Sequence, residues 1–309
     1  MLASVAAFAQ GKDYPNRPIK LLLPLSAGSG GDALGRLVTE AMGKRLNGSF
    51  YVENKVGAGG TIGAAQAAKS ANDGHTITMG GMTSHIIAPA VYAKLPYAPV
   101  KDFTQIGRIG TAGVVVVSSM SFPAKDLKSL VAYSKTLDIP LQYATWGHGS
   151  TGHLCGEVIV QKTGAKFDHI PFKSSSDLVT GFLGNHINVA VLDIGTASPL
   201  VKAGKIRALG ICRTRSPSMP EVGTYPDQGI DFKSELSWVL LAPAGLPADV
   251  TLKLTEALKE SLAAKAVAER MLDLGILPAY LPPAQLRNLM TEDVATWRQV
   301  AETANVLPN

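Results

Sequence analysis

Apolar runs about five residues long recur along the chain. Each is followed by a short stretch of glycine, serine and threonine, then by apolar positions at helical spacing. Ile19 to Leu23 is the first such run. Beyond Pro24-Leu25-Ser26-Ala27-Gly28-Ser29-Gly30-Gly31-Asp32, the positions Ala33, Leu34, Leu37, Val38, Ala41 and Met42 predict a helix over 33–46 that stops at Asn47-Gly48. Phe50 to Glu53 and His75 to Met79 predict two more strands. The loops behind them, Asn54 to Thr61 and Gly80-Gly81-Met82-Thr83-Ser84-His85, each open a helix. Residues 103–118 predict strands leading out of this unit. The second half repeats the scheme, with a helix over 127–136, a strand over 141–145 and the loop Trp146 to His153 opening a helix that Thr163-Gly164 closes. A strand over 167–172 leads to Ser174 through Asp177, capping residues for a helix over 178–183. Strands over 187–193, 206–211 and 237–242 follow, with a helical turn over 198–203, a helix over 248–262 and a last helix over 283–304. That last helix sets Leu286, Leu289, Met290, Val294 and Trp297 on one face, a core-packing pattern. Strand–loop–helix alternation predicts an α/β architecture with parallel sheets in two lobes, the chain crossing near 110–114 and 234–238. Ligands of such sheets sit outside the carboxyl ends of the strands.

With 309 residues the chain exceeds the usual size of one core, which supports two lobes. Apolar residues make up 46% and charged ones 17%, an ordinary globular balance. Net charge is +5, but the basic residues are scattered among acids, so no stripe points to nucleic acid. No stretch reaches the roughly 18 uninterrupted apolar residues of a membrane span. Residues 1–9 read as the remnant of a secretory signal, because Ala7-Phe8-Ala9 before Gln10 has the A-x-A form of a cleavage site. Export is the expectation. Cys155 and Cys212 read best as buried free thiols, although an exported location permits a disulfide.

The chemistry lies in the loops. A helix N-terminus leaves N–H groups without intrahelical partners and carries partial positive charge, which suits a carboxylate or a phosphate. Gly28-x-Gly30-x-x-Ala33 also satisfies the dinucleotide fingerprint, with Glu53 placed for a ribose, so an NAD-dependent oxidoreductase using Gly28 to Ala33 is the alternative. Against it, Pro24 to Ala27 separate the strand from the first glycine. Ser150 sits in a broken nucleophile elbow, because His148 stands where G-x-S-x-G needs glycine. His148, His153 and Asp193 could be drawn as triad partners for Ser150, but helix capping explains Ser150 more simply. The histidines show no H-E-x-x-H and the cysteines no C-x-x-C, so neither catalysis, a metal nor a cofactor is expected.

At these residues the chain resembles the extracytoplasmic solute-binding proteins of the tripartite tricarboxylate transporters, the Bug or TctC-like family. The resemblance runs from Tyr14-Pro15-Asn16-Arg17-Pro18-Ile19 to the last helix. Its most specific pieces are Pro24…Gly30-Gly31-Asp32 and Val52-Glu53-Asn54-Lys55 with Gly57-Ala58-Gly59-Gly60. Asp73-Gly74-His75-Thr76, Val201 through Leu209 and Ala242 through Pro247 add to it. It implies a two-lobed periplasmic-binding-protein fold, type II-like, with a cleft between the lobes and crossover strands as hinge. Lobe 1 would comprise 10–112 and 237–309, and lobe 2 residues 113–236. It further implies a periplasmic receptor, without catalysis, that closes on a small organic carboxylate and delivers it to membrane partners. Carried over, the family's ligand loops correspond to Ser26, Ala27, Gly28, Ser29, Gly30 and Asp32, and to Gly149, Ser150 and Thr151. Thr83, Ser84 and His85 would add contacts from the third loop and Asp193 from a strand end. Asp32 has a simpler role, accepting N–H bonds at its own helix start. The chain departs from the family pattern at Leu25-Ser26-Ala27, Trp146, His148 and Phe172-Lys173-Ser174, which flank the expected ligand. Trp146, His148 and Phe172 make an aromatic acid a candidate beside aliphatic dicarboxylates.

Overall fold

The computed structural model describes residues 14–232 and 236–306. The signal-like segment 1–9 lies outside them. Strand β1 (Ile19–Leu23) leads into α1 (Gly30–Leu46), β2 (Phe50–Asn54), α2 (Thr61–Ala68) and β3 (Thr76–Gly80). A π-helical turn, Thr83–Ile87, runs into the short α3 (Ala88–Val91), and β4 (Phe103–Thr111) follows. The second lobe comprises β5 (Val114–Ser119), α4 (Leu127–Lys135), β6 (Leu141–Thr145), α5 (Thr151–Thr163), β7 (Phe167–Pro171), α6 (Ser175–Leu183), β8 (Val189–Asp193), α7 (Ile194–Lys202) and β9 (Ile206–Cys212). The chain returns through β10 (Ser237–Pro243) and ends with α8 (Ala248–Ala263), α9 (Lys265–Asp273), β11 (Leu277–Leu281) and α10 (Pro283–Thr303).

Two sheets result, in the orders β11-β4-β10-β3-β1-β2 and β7-β6-β8-β5-β9. Both are mixed where the alternation predicted parallel sheets. β1, β2 and β3 are parallel, as are β6, β7 and β8, but β10 runs antiparallel to β3 and β4, and β5 antiparallel to β8 and β9. β5 and β10 are the strands that receive the chain after a crossing, so they enter each sheet from the opposite end, and β11 also runs antiparallel to β4. The two crossings are bonded to each other, the Ala112 N–H donating to the Leu236 carbonyl at 3.0 Å.

Helix starts are set by capping side chains, of which the sequence marked Ser150 and Ser174. Ser29, Asp126, Ser150, Ser174 and Asp193 each accept an N–H of their own first turn. α1 therefore starts at Gly30 and not at Ala33, since the cap is Ser29. The last helix buries Leu286, Met290 and Trp297, and α9 and the turn leading into β11, which no pattern predicted, bury Val267, Met271 and Ile276 against the first sheet. One correction concerns sulfur. Cys155 on α5 and Cys212 at the end of β9 are disulfide-bonded, with Cα atoms 6.2 Å apart. Separation of 57 residues hid a contact that the packing of α5 on β9's sheet creates.

Candidate functional site

The strand ends of both sheets face a cavity of about 110 Å³ between the lobes. Of the ligand-loop residues carried over from the family, seven line it, Ser26, Ser29, Gly30, Thr83, Ser84, Thr151 and Asp193, and so does Trp146. The opening loop is held by its own side chains. The Asp32 carboxylate accepts from the Gly28 N–H at 3.0 Å, Asn54 Nδ2 at 2.9 Å and Arg36 Nε at 3.0 Å. Burial alone would raise this carboxyl, but those bonds, with the charge of Arg36, outweigh it and hold the group below the ordinary aspartate value. Asp32 thus faces the back of its loop, and Ala27 and Gly28 lie exposed on the loop's outer turn, away from the cavity. Gly28 takes φ +77°, a left-handed conformation that glycine adopts without strain.

The lobes touch directly across the cleft. Thr83 and Thr151 pair their hydroxyls at 3.0 Å, and the Thr151 N–H donates to Thr83 Oγ1 at 3.1 Å. The Gly30 N–H, at the start of α1, donates to Thr196 Oγ1 of α7 at 3.3 Å. Asp193 caps α7, accepting from the Thr196 N–H at 2.9 Å and its hydroxyl at 2.8 Å. Its carboxyl is raised by burial, an effect that bonds from Thr196 and from the Gly30 N–H only partly offset. Part of the anion-binding capacity at the start of α1 is therefore met by the opposite lobe.

His85, His148, Gly149, Ser150 and Phe172 do not line the cavity. His85 is fully buried between Tyr97 and Phe103, bonded to Ser84 Oγ at 2.9 Å, and burial lowers its pKa to about 3. Ser150 is buried; its Oγ accepts the His153 N–H as the cap of α5 and donates to Thr145. The Gly149 N–H donates to His153 Nδ1 at 3.0 Å, and Gly149 packs against Val91 of the other lobe. Phe172 packs on Gly181 of α6. His148, His153 and His169 do cluster, with potential ligand nitrogens within 4.8 Å of one another. Yet the rings of His153 and His169 are stacked 3.7 Å apart at 11°. Ring lone pairs lie in the ring plane, and one ion cannot lie in two parallel planes. Burial first, then the neighbouring histidines, lowers His153 to about 2; burial and His148 lower His169 to about 4. These rings are a neutral stack.

Sequence reasoning missed several walls. Trp238 on β10 fills the space above Gly31 and Gly81. Ser237, Ile194 and Ile276 come from segments whose position only the tertiary structure fixes, although a tryptophan directly after a lobe crossing was a usable signal for Trp238. Lys173, exposed at the start of α6, is the one cationic side chain among the described lining residues, so the site is not made of neutral donors alone. Glu53, the ribose-binding candidate, is engaged by Lys20 at 3.2 Å and Gln66 at 3.1 Å.

Residues 34–306 match the tripartite tricarboxylate transporter family receptor, TctC. The chain belongs to that family. Among solved structures it is 29% identical to the periplasmic binding protein BugD, with TM-score 0.89 over 96% of this chain and 100% of that one. An adipate-bound protein of R. palustris is 26% identical, with TM-score 0.92 over 96% of this chain and all of that one. MatC of Rhodopseudomonas palustris, with bound malate, is 29% identical, with TM-score 0.85 over 93% and 99%. This TctC-family chain is thus a two-lobed periplasmic solute-binding protein, and the family is one of receptors, not enzymes. The oxidoreductase alternative falls with that assignment.

Proposed function

We propose that the protein captures a small dicarboxylate in the interlobe cavity and delivers it, after export by its N-terminal signal, to the membrane subunits of a tripartite tricarboxylate transporter. The observation that carries the reading is the imbalance of the cavity wall. Ser26, Thr83, Thr151 and Lys173 line it, whereas the one carboxylate among the described lining residues, Asp193, is half-buried and already bonded within α7 and to Gly30. Donors in excess call for a ligand rich in acceptors, and charge-assisted hydrogen bonds are the stronger kind. Family membership and the adipate and malate bound by structural relatives support the same class. Trp146 and Trp238 keep a flat aromatic acid within reach of the same walls.

Thermal unfolding against aliphatic and aromatic acids, with NAD and NADP included, tests this. A ligand at a hundred times its dissociation constant adds roughly 2.7 kcal/mol, which raises the midpoint by about 2–4 °C per kcal/mol. Shifts with dicarboxylates and none with nucleotides are expected. A shift with NAD or NADP alone would overturn the reading.

A further inference from the structure

The tryptophans of the chain occupy two kinds of place. Trp297 on α10 is fully buried, as a packing side chain is. Trp146, just past β6, and Trp238, on β10, are only half-buried, and both line the interlobe cavity. Each lies against a glycine at the second position of a helix that starts at the cavity. A Cβ on Gly152 of α5 would stand 2.8 Å from Trp146 Cζ3, and one on Gly31 of α1 would stand 2.7 Å from Trp238 Cη2. Trp238 also covers Gly81, where a Cβ would stand 3.2 Å from its Cζ3. Glycine at these positions lets each six-membered ring rest on backbone, which fixes it as a wall. The two rings belong to opposite lobes and lie beside one contact. Gly81 and Gly152 are two positions and one position away from Thr83 and Thr151, whose hydroxyls meet across the cleft at 3.0 Å.

We propose that the cavity takes a planar aromatic dicarboxylate, its ring against the indoles of Trp146 and Trp238 and its carboxylates at the loop donors. This rests on the carboxylate reading above and narrows it. Small-ligand sites are mostly apolar, with a few polar groups that set orientation. Leu25, Met82, Ile194, Leu236 and Ile276 supply much of the remaining apolar wall here. An aliphatic diacid covers such a wall with flexible methylenes, and ordering them costs entropy on binding. A benzene ring is already rigid. It also offers offset or edge-to-face pairing with indole, a gain beyond the area it buries. Because each lobe supplies one indole, the ring completes its contacts only when the cleft is closed, so recognition and closure are coupled.

Calorimetric titration of the three benzenedicarboxylate isomers, each paired with the trans-cyclohexanedicarboxylate of the same substitution, tests the proposal, with malate and adipate as aliphatic comparators. Charge, ring size and the positions of substitution match within a pair, so the affinity ratio reports planarity and aromatic contact. At least one aromatic isomer is expected to bind the wild type about 3- to 10-fold more tightly than its saturated partner. In Trp146→Leu and in Trp238→Leu that ratio should fall towards one. Each ratio is taken within one protein sample, so any unfolded fraction divides out. Saturated acids that bind as tightly as the aromatic ones in every pair, or a ratio unchanged in either variant, would overturn the inference. Binding of malate or adipate with no binding of a ring acid would overturn it too, and would leave the carboxylate reading standing. Failure of every acid to bind would overturn both.

Discussion

At the scale of single residues, the structure separates groups that hold the loops from groups that face the cavity. Asp32 and Ser150 sit in the two loops most suggestive of ligand contact, yet both direct their polar atoms into the loop itself. The stacked histidines do the same for lobe 2: His169 bonds Thr145 at 2.7 Å and His153 receives the Gly149 N–H. Their lowered pKa values make stability depend on pH. An unfolded histidine takes up its proton near pH 6.5, whereas folded His169 does so at about 4. Between those values the unfolded chain binds more protons, so stability is full above about pH 6.5 and falls as pH drops towards 4. Glu157, 3.7 Å from His153 and raised by burial, opposes this, because it takes a proton more readily when folded. Urea midpoints should therefore fall between about pH 7 and 5, with a shallower fall in His169→Phe, which keeps a stacking ring that does not titrate. An equal fall in both proteins would assign the effect to other groups.

At the scale of elements, closure depends on two helix starts meeting without side chains. A Cβ on Gly30 would stand 2.4 Å from Asp193 Oδ1 and 2.7 Å from the Gly195 Cα, and one on Gly195 would stand 2.7 Å from the Gly30 Cα. Gly30→Ala is thus expected to leave lobe 1 folded, since alanine suits a helix better than glycine by about 0.5–1 kcal/mol. It should nevertheless prevent the lobes from reaching the closed contact. Small-angle scattering with a saturating acid should show the compaction of the wild type absent in the variant; compaction of both would show that α1 and α7 can separate without loss of closure. The glycine-rich loop is visible in sequence. That its glycines answer to a second loop 165 residues away, and not to a ligand alone, is visible only when α1 and α7 are side by side.

For the whole molecule, the disulfide and the hinge define what moves. Cys155 and Cys212 both belong to the second sheet's lobe, so their bond staples that lobe internally and leaves the crossings at Ala112 and Leu236 free to bend. Closing a loop of 57 residues restricts the unfolded chain by about 4 kcal/mol on the chain-entropy account. Cys155→Ala/Cys212→Ala should lower the denaturant midpoint to match, while its acid affinity in native buffer stays unchanged. Loss of affinity without loss of stability would place the disulfide in the binding mechanism.

The sequence by itself determined most of the elements and the family. Apolar periodicity, capping residues and glycine turns are local properties, so β1, β6, the start of α4 and the course of α10 follow from neighbours a few positions apart. The repeated strand–loop–helix units also determined that helix starts would face a common cleft. Tertiary structure decided the rest, because it depends on residues far apart in the chain. It reversed the crossing strands, joined the two sulfurs, turned Asp32 and His85 away from the cavity, and brought Ser237, Trp238 and Ile276 to its wall. Local signals report which backbone groups need partners; only packing determines whether the partner is the same loop, the opposite lobe or a ligand.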